Sequence, residues 1–229
     1  MKLSIIIPCF NEEKTISLVI NKILSSYTGE KEIIVIDDNS NDKTREILDS
    51  DLKDKIDRII LNDKNYGKGF SIRQGINIAK GDIILIQDAD LEYDPTDYNK
   101  LIKPIAKGFA DVVYGSRFLG GDEKRVLYFW HTLGNKFLTT LSNMFSNLNL
   151  TDMEVGYKLF KSDVIKDLNL LENRFGFEPE VTAKIAKKKI RIYEVGISYY
   201  GRKYEDGKKI TWKDGISALR CIVKYNLFY

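Results

Sequence analysis

Three short β-branched runs, residues 3–7, 33–36 and 83–86, each break off at a polar turn that carries carboxylates. Runs this short and apolar on both faces are the mark of parallel strands buried inside a sheet. The turns read Pro8-Cys9-Phe10-Asn11-Glu12, Asp37-Asp38-Asn39-Ser40 and Asp88-Ala89-Asp90-Leu91-Glu92. Helical patterns alternate with the strands. Residues 14–24 place Ile16, Val19, Ile20, Ile23 and Leu24 on one face. A helix capped by Asn41 or Asp42 runs through Leu48, a third strand spans 56–61, and a helix over 70–79 stops near Gly81. Residues 96–106 are helical, with Pro104 ending or kinking them early, and 112–115 form a fifth strand. This rhythm predicts an α/β fold with a mostly parallel central sheet and helices on both faces. Ligands of open α/β sheets bind beyond the carboxyl ends of the strands, where these carboxylates lie.

Past residue 116 the pattern changes. A long apolar and aromatic helix over 126–148 precedes a short strand at 157–160, a helix at 163–168, a helix at 178–187 and a strand at 190–199. A charged, glycine-punctuated loop, 201–209, leads to a last helix from 212 to about 225. No linker or repeat separates the two halves, so 1–229 is expected to be one domain.

Composition removes several function classes. At 43% apolar the chain has ample core, and a net charge of +3 gives no reason to expect a nucleic-acid partner. Cys9 and Cys221 are too few for a disulfide framework and fit a reducing, cytoplasmic setting. No signal peptide is expected, and no run reaches the roughly 18 apolar residues of a spanning helix. His131 is the only histidine, which excludes a three-histidine zinc site and any histidine-based triad built elsewhere. Neither a GxGxxG turn after the first strand nor a GxxxxGK[ST] loop is present.

Asp88 and Asp90 have the spacing to share one Mg²⁺ or Mn²⁺, with Glu92 a third ligand; a solvated acidic turn is the competing account. Asp37 or Asp38 can accept from a nucleoside, or the turn can simply cap the next helix. Phe10 can pack on a base and Glu12 accept from one, or the segment only starts a helix. Asn65-Tyr66-Gly67-Lys68-Gly69 offers amides, Lys68 and a helix N-terminus to a phosphate, or is a plain surface turn. Arg117 and Arg202 suit a diphosphate through their planar forks, and Asp152 is a candidate catalytic carboxylate.

Together these motifs, with Gly115-Ser116-Arg117-Phe118, resemble those of the inverting family 2 glycosyltransferases, above all the dolichol-phosphate mannose and glucose synthases and their bacterial relatives. The likeness continues through Leu150-Thr151-Asp152-Met153-Glu154, Gly156-Tyr157-Lys158-Leu159-Phe160, Gly176-Phe177-Glu178 and Gly207-Lys208-Lys209-Ile210. It implies an A-type nucleotide-sugar transferase fold, with 1–118 binding the donor and 119–229 the acceptor. By this resemblance the donor's nucleoside meets Pro8, Phe10, Glu12 and Asp37 or Asp38. Lys68, Gly69, Asp88 and Ala89 complete the donor site, and Asp88, Asp90 and Glu92 hold the cation. Arg117 and Arg202 meet phosphates, and Asp152 is the base if the acceptor is a sugar hydroxyl. The expected reaction moves a hexose from UDP-glucose or GDP-mannose to a polyprenyl phosphate at the cytoplasmic face of a membrane. Glu92 and Val155-Gly156-Tyr157 depart from the mannose synthases and leave the sugar open. A glycan hydroxyl as acceptor, a nucleotidyltransferase and a non-catalytic sugar-nucleotide-binding subunit are the alternatives. Peripheral membrane contact is expected from Tyr128-Phe129-Trp130, Phe137, Leu138, Leu141, Met144 and Phe145. A second contact is expected from the last helix through Trp212, Ile216, Leu219, Ile222 and Val223, beside Lys213, Arg220 and Lys224.

Overall fold

The structure is a computed structural model that describes residues 1–120, 125–126, 128–201 and 212–229, with side chains in the last segment from 214. Seven strands form one sheet in the order β3-β2-β1-β4-β6-β5-β7. They are β1 (Leu3–Cys9), β2 (Lys31–Asp37), β3 (Arg58–Leu61), β4 (Ile83–Ile86), β5 (Val112–Ser116), β6 (Lys158–Lys161) and β7 (Ile192–Gly196). The helices are α1 (Ile16–Ser26), α2 (Thr44–Asp49), α3 (Lys68–Ile78), α4 (Tyr98–Ala106), α5 (Phe129–Ser146), α6 (Ser162–Lys166), α7 (Phe177–Lys187) and α8 (Trp212–Leu227).

The three β-branched runs are the buried centre. Ile5, Ile6, Ile7, Ile34, Val35, Ile36 and Leu85 are fully buried, and each contributes about 1.5–3 kcal/mol of apolar burial. Pro8, which lacks an amide donor, sits just past the last β1–β4 pair, Ile6↔Ile86, where no ladder bond from it is needed. Helices α3 and α6 pack together over β1, β2 and β4. On the other face Tyr27 at the end of α1 meets Tyr98 of α4 edge-on, and Lys22 pairs with Asp94 at 2.8 Å. Helices α5, α7 and α8 pack on one another.

Three local expectations are adjusted. Helix α3 begins two residues earlier than its apolar pattern, directly after a loop whose Tyr66 and Gly67 amides are held by Asp38 (below). Helix α4 continues through Pro104 and stops two residues later, so the missing amide falls in the last turn, where it costs least. The 190–199 strand is shorter, Ile192–Gly196.

Strand β6 matters most for the site. It runs antiparallel to both β4 and β5, pairing Ile86↔Lys158 and Tyr114↔Lys158. Its entry therefore lies at the carboxyl ends of its parallel-running neighbours, and segment 151–157 is delivered to the same edge as the turns after β1, β2, β4 and β5.

Candidate active site

The turns after β1 and β2 are clamped together. Asn11 and Asn39 take left-handed backbone (φ 52° and 65°), which asparagine tolerates. Asn11 N donates to Ser40 Oγ at 2.9 Å, Asn41 N to Asn11 Oδ1 at 2.9 Å, and Glu12 N to Thr44 Oγ1 at 2.9 Å. Glu12 Oε2 accepts from Thr15 Oγ1 at 2.7 Å, so its carboxylate helps start α1. Phe10 is half-buried beside these turns.

The two aspartates of the second turn divide their roles. Asp38 accepts from Asn62 Nδ2 at 2.8 Å, Tyr66 N at 2.9 Å and Gly67 N at 2.6 Å, which fixes the loop leading into α3. The expected nucleoside contact at Asp38 gives way to this structural task. Asp37 binds Ser40 N at 3.1 Å and Arg45 through Oδ1, while its Oδ2 is buried with no hydrogen-bond partner among the described residues.

The loop around Lys68 also differs from its expected part. The Tyr66 and Gly67 amides face Asp38, not an open anion site. Gly67 (φ 104°) and Gly69 are glycines because the 172–174 backbone crosses them. A Cβ on Gly67 would lie 2.5 Å from Asn173 O, and one on Gly69 2.5 Å from Glu172 O. The absence of a side chain at Gly69 therefore answers first to packing. Lys68 itself does reach the site, with Nζ 2.7 Å from Asp88 Oδ1 and 3.2 Å from Glu178 Oε1. Burial opposes its charge, but the two carboxylates outweigh burial and raise its pKa above the ordinary value.

Gln87, at the foot of the acidic turn, is fully buried and holds it from below. Its Oε1 accepts from Tyr98 Oη at 2.7 Å and Tyr157 Oη at 2.6 Å, and its Nε2 donates to Asp88 O at 2.9 Å. Gly156 lies flat against Asp88, since a Cβ there would stand 2.4 Å from Asp88 Oδ2. Ala89 is buried between the two aspartates, and Asp90 Oδ1 accepts from Glu92 N at 3.1 Å. The expected three-carboxylate cation site does not assemble. Glu92 Oε2 instead accepts from Tyr199 Oη at 2.9 Å, and no three metal-ligating side chains converge among the described residues. Asp88, whose Oδ1 Lys68 holds, and Asp90 both follow β4, and one or two carboxylates completed by substrate phosphates and water are a donor set of the kind Mg²⁺ takes.

Across β6, Arg117 and Asp152 form a closed pair. Arg117 Nε and Nη2 each lie 2.7 Å from an Asp152 oxygen, Arg117 N adds a bond at 3.0 Å, and Asn135 Nδ2 of α5 one at 3.1 Å. Asp152 is fully buried. Burial alone would raise its carboxyl, but the Arg117 charge and hydrogen bonds outweigh it and hold the group below the usual carboxylate range. A carboxylate so engaged is a poor proton acceptor, so the expected base is corrected to a group that orients Arg117. The guanidinium also lies over the Tyr199 ring, 5.4 Å from its centroid. Arg202, the other expected phosphate ligand, lies outside the described residues.

Between these two clusters lie Glu154, Lys158 and Glu178, none of them among the expected site residues. Glu178, in the first turn of α7, holds Lys68 with Oε1 and leaves Oε2 buried without a partner among the described residues; Glu154 Oε1 is in the same condition. Burial, reinforced by Glu178, pushes the Glu154 carboxyl up to about 8. Lys158 Nζ donates to the carbonyls of Met153, at 2.9 Å, and Val155, and burial draws its pKa down to about 8 against the pull of Glu178 and Glu154. The available signal was the pair of glutamates in the Asp152-Met153-Glu154 and Gly176-Phe177-Glu178 motifs.

Comparison with known proteins agrees with this geometry. The model of the family described as Glycosyl transferase family 2 matches residues 4–168. The chain is 27% identical over 212 residues to an undecaprenyl-phosphate 4-deoxy-4-formamido-L-arabinose transferase of Photorhabdus laumondii, covering 90% of this chain and 62% of that protein. It is 29% identical over 228 residues to a dolichol-phosphate mannosyltransferase of Pyrococcus furiosus, covering 98% of this chain and 63% of that protein. The chain thus spans less than two thirds of both relatives. Among solved structures, glucosyl-3-phosphoglycerate synthase of Mycobacterium tuberculosis, in complex with Mn²⁺, UDP and phosphoglyceric acid, superposes with a TM-score of 0.77. That match has 17% identity and covers 100% of this chain and 79% of that one, a likeness of fold.

Proposed function

The chain belongs to the family 2 glycosyltransferases, and from that membership we propose that it moves a hexose from UDP-glucose or GDP-mannose to a polyprenyl phosphate, inverting the anomeric carbon. The names of two relatives, an undecaprenyl-phosphate and a dolichol-phosphate transferase, support the acceptor class. The observation that carries the reading is the Arg117–Asp152 pair. It fixes a cation at the sheet edge and spends the nearby carboxylate in doing so. A phosphate acceptor, whose second pKa is about 6, arrives largely ionised and needs no base there. A sugar hydroxyl would need one.

In this reading the donor's nucleoside lies against Pro8, Phe10, Glu12 and Asp37, where the buried Asp37 Oδ2 waits for a donor from base or ribose. Lys68 meets the diphosphate. Asp88 and Asp90 would hold Mg²⁺ or Mn²⁺, which when bound neutralises charge on the departing diphosphate. Arg117, held by Asp152, aligns the acceptor phosphate for attack from the face opposite the nucleotide, and Arg202 joins it. Residues 1–118 serve the donor and 119–229 the acceptor.

No helix among the described residues is long and apolar enough to cross a membrane. Helix α5 nevertheless leaves Phe129, Trp130, Phe137 and Met144 exposed, while Leu138 and Leu141 pack on the core. On α8 the described apolar residues are mostly docked, with Ile222 fully buried and Ile216 exposed. In this reading the chain rests on the cytoplasmic face of a membrane, and the exposed apolar residues of α5 support that helix as the main contact. Transfer of radiolabelled hexose tests the proposal, crossing UDP-glucose and GDP-mannose with polyprenyl phosphates and glycan hydroxyl acceptors. Label in an organic-extractable phosphodiester supports it; label only in glycan, or in no acceptor, refutes it.

A further inference from the structure

The strand order lays out the edge as a sequence of stations. Asp37 and Phe10 stand at the ends of β2 and β1, Asp88 and Asp90 at the end of β4, Glu154 at the entry to β6, and Arg117 at the end of β5. A nucleoside diphosphate with its base over β1 and β2 and its phosphates at β4, continued in the same direction along the edge, brings the attached hexose toward the start of β6. That station holds two carboxyl oxygens without hydrogen bonds among the described residues, Glu154 Oε1 and Glu178 Oε2. Lys158 does not serve them, since it donates to the main-chain carbonyls on either side of Glu154. Lys68 serves only the other oxygen of Glu178. Buried acceptors without partners lower stability, and most buried polar groups find one. A sugar hydroxyl, which both donates and accepts, can pair with these oxygens whether Glu154 is ionised or protonated.

We propose that Glu154, with Glu178 close by, binds the hydroxyl groups of the transferred hexose and so sets which sugar is accepted. This rests on the donor-transfer reading above. It makes Glu154 a specificity residue that weakens the free protein and strengthens the sugar complex. A site built to hydrogen-bond hydroxyls discriminates strongly among sugars, because the wrong epimer leaves a buried group unpaired.

Titration calorimetry of wild type, Glu154→Met and Glu154→Gln tests this, using UDP, GDP, UDP-glucose and GDP-mannose with Mn²⁺ present, alongside thermal melts without ligand. In Glu154→Met, affinity for the free diphosphate stays within about twofold, while affinity for its hexose conjugate relative to the diphosphate falls about tenfold, the weight of one hydrogen bond to a buried polar group. The ligand-free melting temperature holds or rises, since an apolar side chain replaces an unpartnered acceptor. Glu154→Gln, which keeps one acceptor, retains more of the hexose-dependent affinity than Glu154→Met. An unchanged ratio, equal weakening of diphosphate and conjugate, or a lower melting temperature without ligand overturns the proposal. A wild-type chain that binds none of the four ligands overturns the donor reading and this inference with it; one that binds them while the variant ratio is unmoved overturns only this inference.

Discussion

Replacing Asp152 by Asn isolates what the Arg117–Asp152 pair does. The substitution keeps the shape but exchanges an oxygen that accepts from Arg117 or Asn135 for an amide that must donate toward them. Breaking a buried ion pair from one side costs about 3–5 kcal/mol. Asp152 is fully buried, whereas the Arg117 side chain keeps 15% of its surface in solvent, so the loss belongs at about 3 kcal/mol. For a chain of this size that is about 6–12 °C in melting temperature. The folded carboxyl has a lowered pKa, so its stabilisation is present above the unfolded value of about 4 and is lost as pH falls through the folded value. The gap between wild type and variant should therefore narrow in acid. The transfer rate should fall about 100-fold, because the guanidinium is no longer held in line, while the pH–rate profile keeps its shape. Urea denaturation across pH and single-turnover transfer measure these effects. A variant within about 0.5 kcal/mol of wild type refutes the structural reasoning, and loss of the acidic limb of the rate profile restores Asp152 as a base.

Lys68→Met leaves the Asp88 and Glu178 carboxylates without their shared cation, so it should cost about 3 kcal/mol in a denaturant melt and weaken nucleoside diphosphate binding. Gly156→Ala pushes a methyl group against the Asp88 carboxylate and the buried Tyr93 ring, and should reduce Mn²⁺-dependent nucleotide affinity in calorimetry by about tenfold and lower stability by about 1–3 kcal/mol in a denaturant melt. Asp111, held far below the usual carboxylate range by Arg191 and by Lys161, stabilises the fold above about pH 4 and loses that contribution on acidification; Asp111→Asn should flatten this acid limb in a melting series. Phe129→Ser with Trp130→Ser should abolish co-flotation with anionic liposomes and leave stability within about 0.5 kcal/mol, as both side chains are exposed.

Much of the donor side was legible because it is local. Each β-branched run lies in a buried strand, although β1 runs on through Pro8 and Cys9 and β2 through Asp37, and Asp88-Ala89-Asp90 follows β4 as its position after an apolar run implies. What escaped the sequence depends on contacts far apart along the chain. Glu92 reads as a ligand beside Asp90, yet it is drawn off by Tyr199, 107 residues away. Gly67 and Gly69 read as a phosphate loop, but their smallness answers to the 172–174 backbone. Asp37 and Asp38 are chemically identical neighbours, and only the position of the α3 loop decides which becomes structural. The antiparallel direction of β6, a four-residue strand with no pattern of its own, brings Asp152 and Glu154 to the edge. Without that direction, Glu154 and Glu178 read as ordinary surface acids.

Anomalous X-ray diffraction from crystals grown with Mn²⁺ and UDP or GDP tests the donor cleft most directly. One manganese peak is expected on the Asp88 and Asp90 carboxylates, shared with the diphosphate, with the nucleoside lying toward Phe10 and Asp37. A diphosphate bound away from the carboxyl ends of β1 and β4, or manganese held without Asp88 or Asp90, contradicts it.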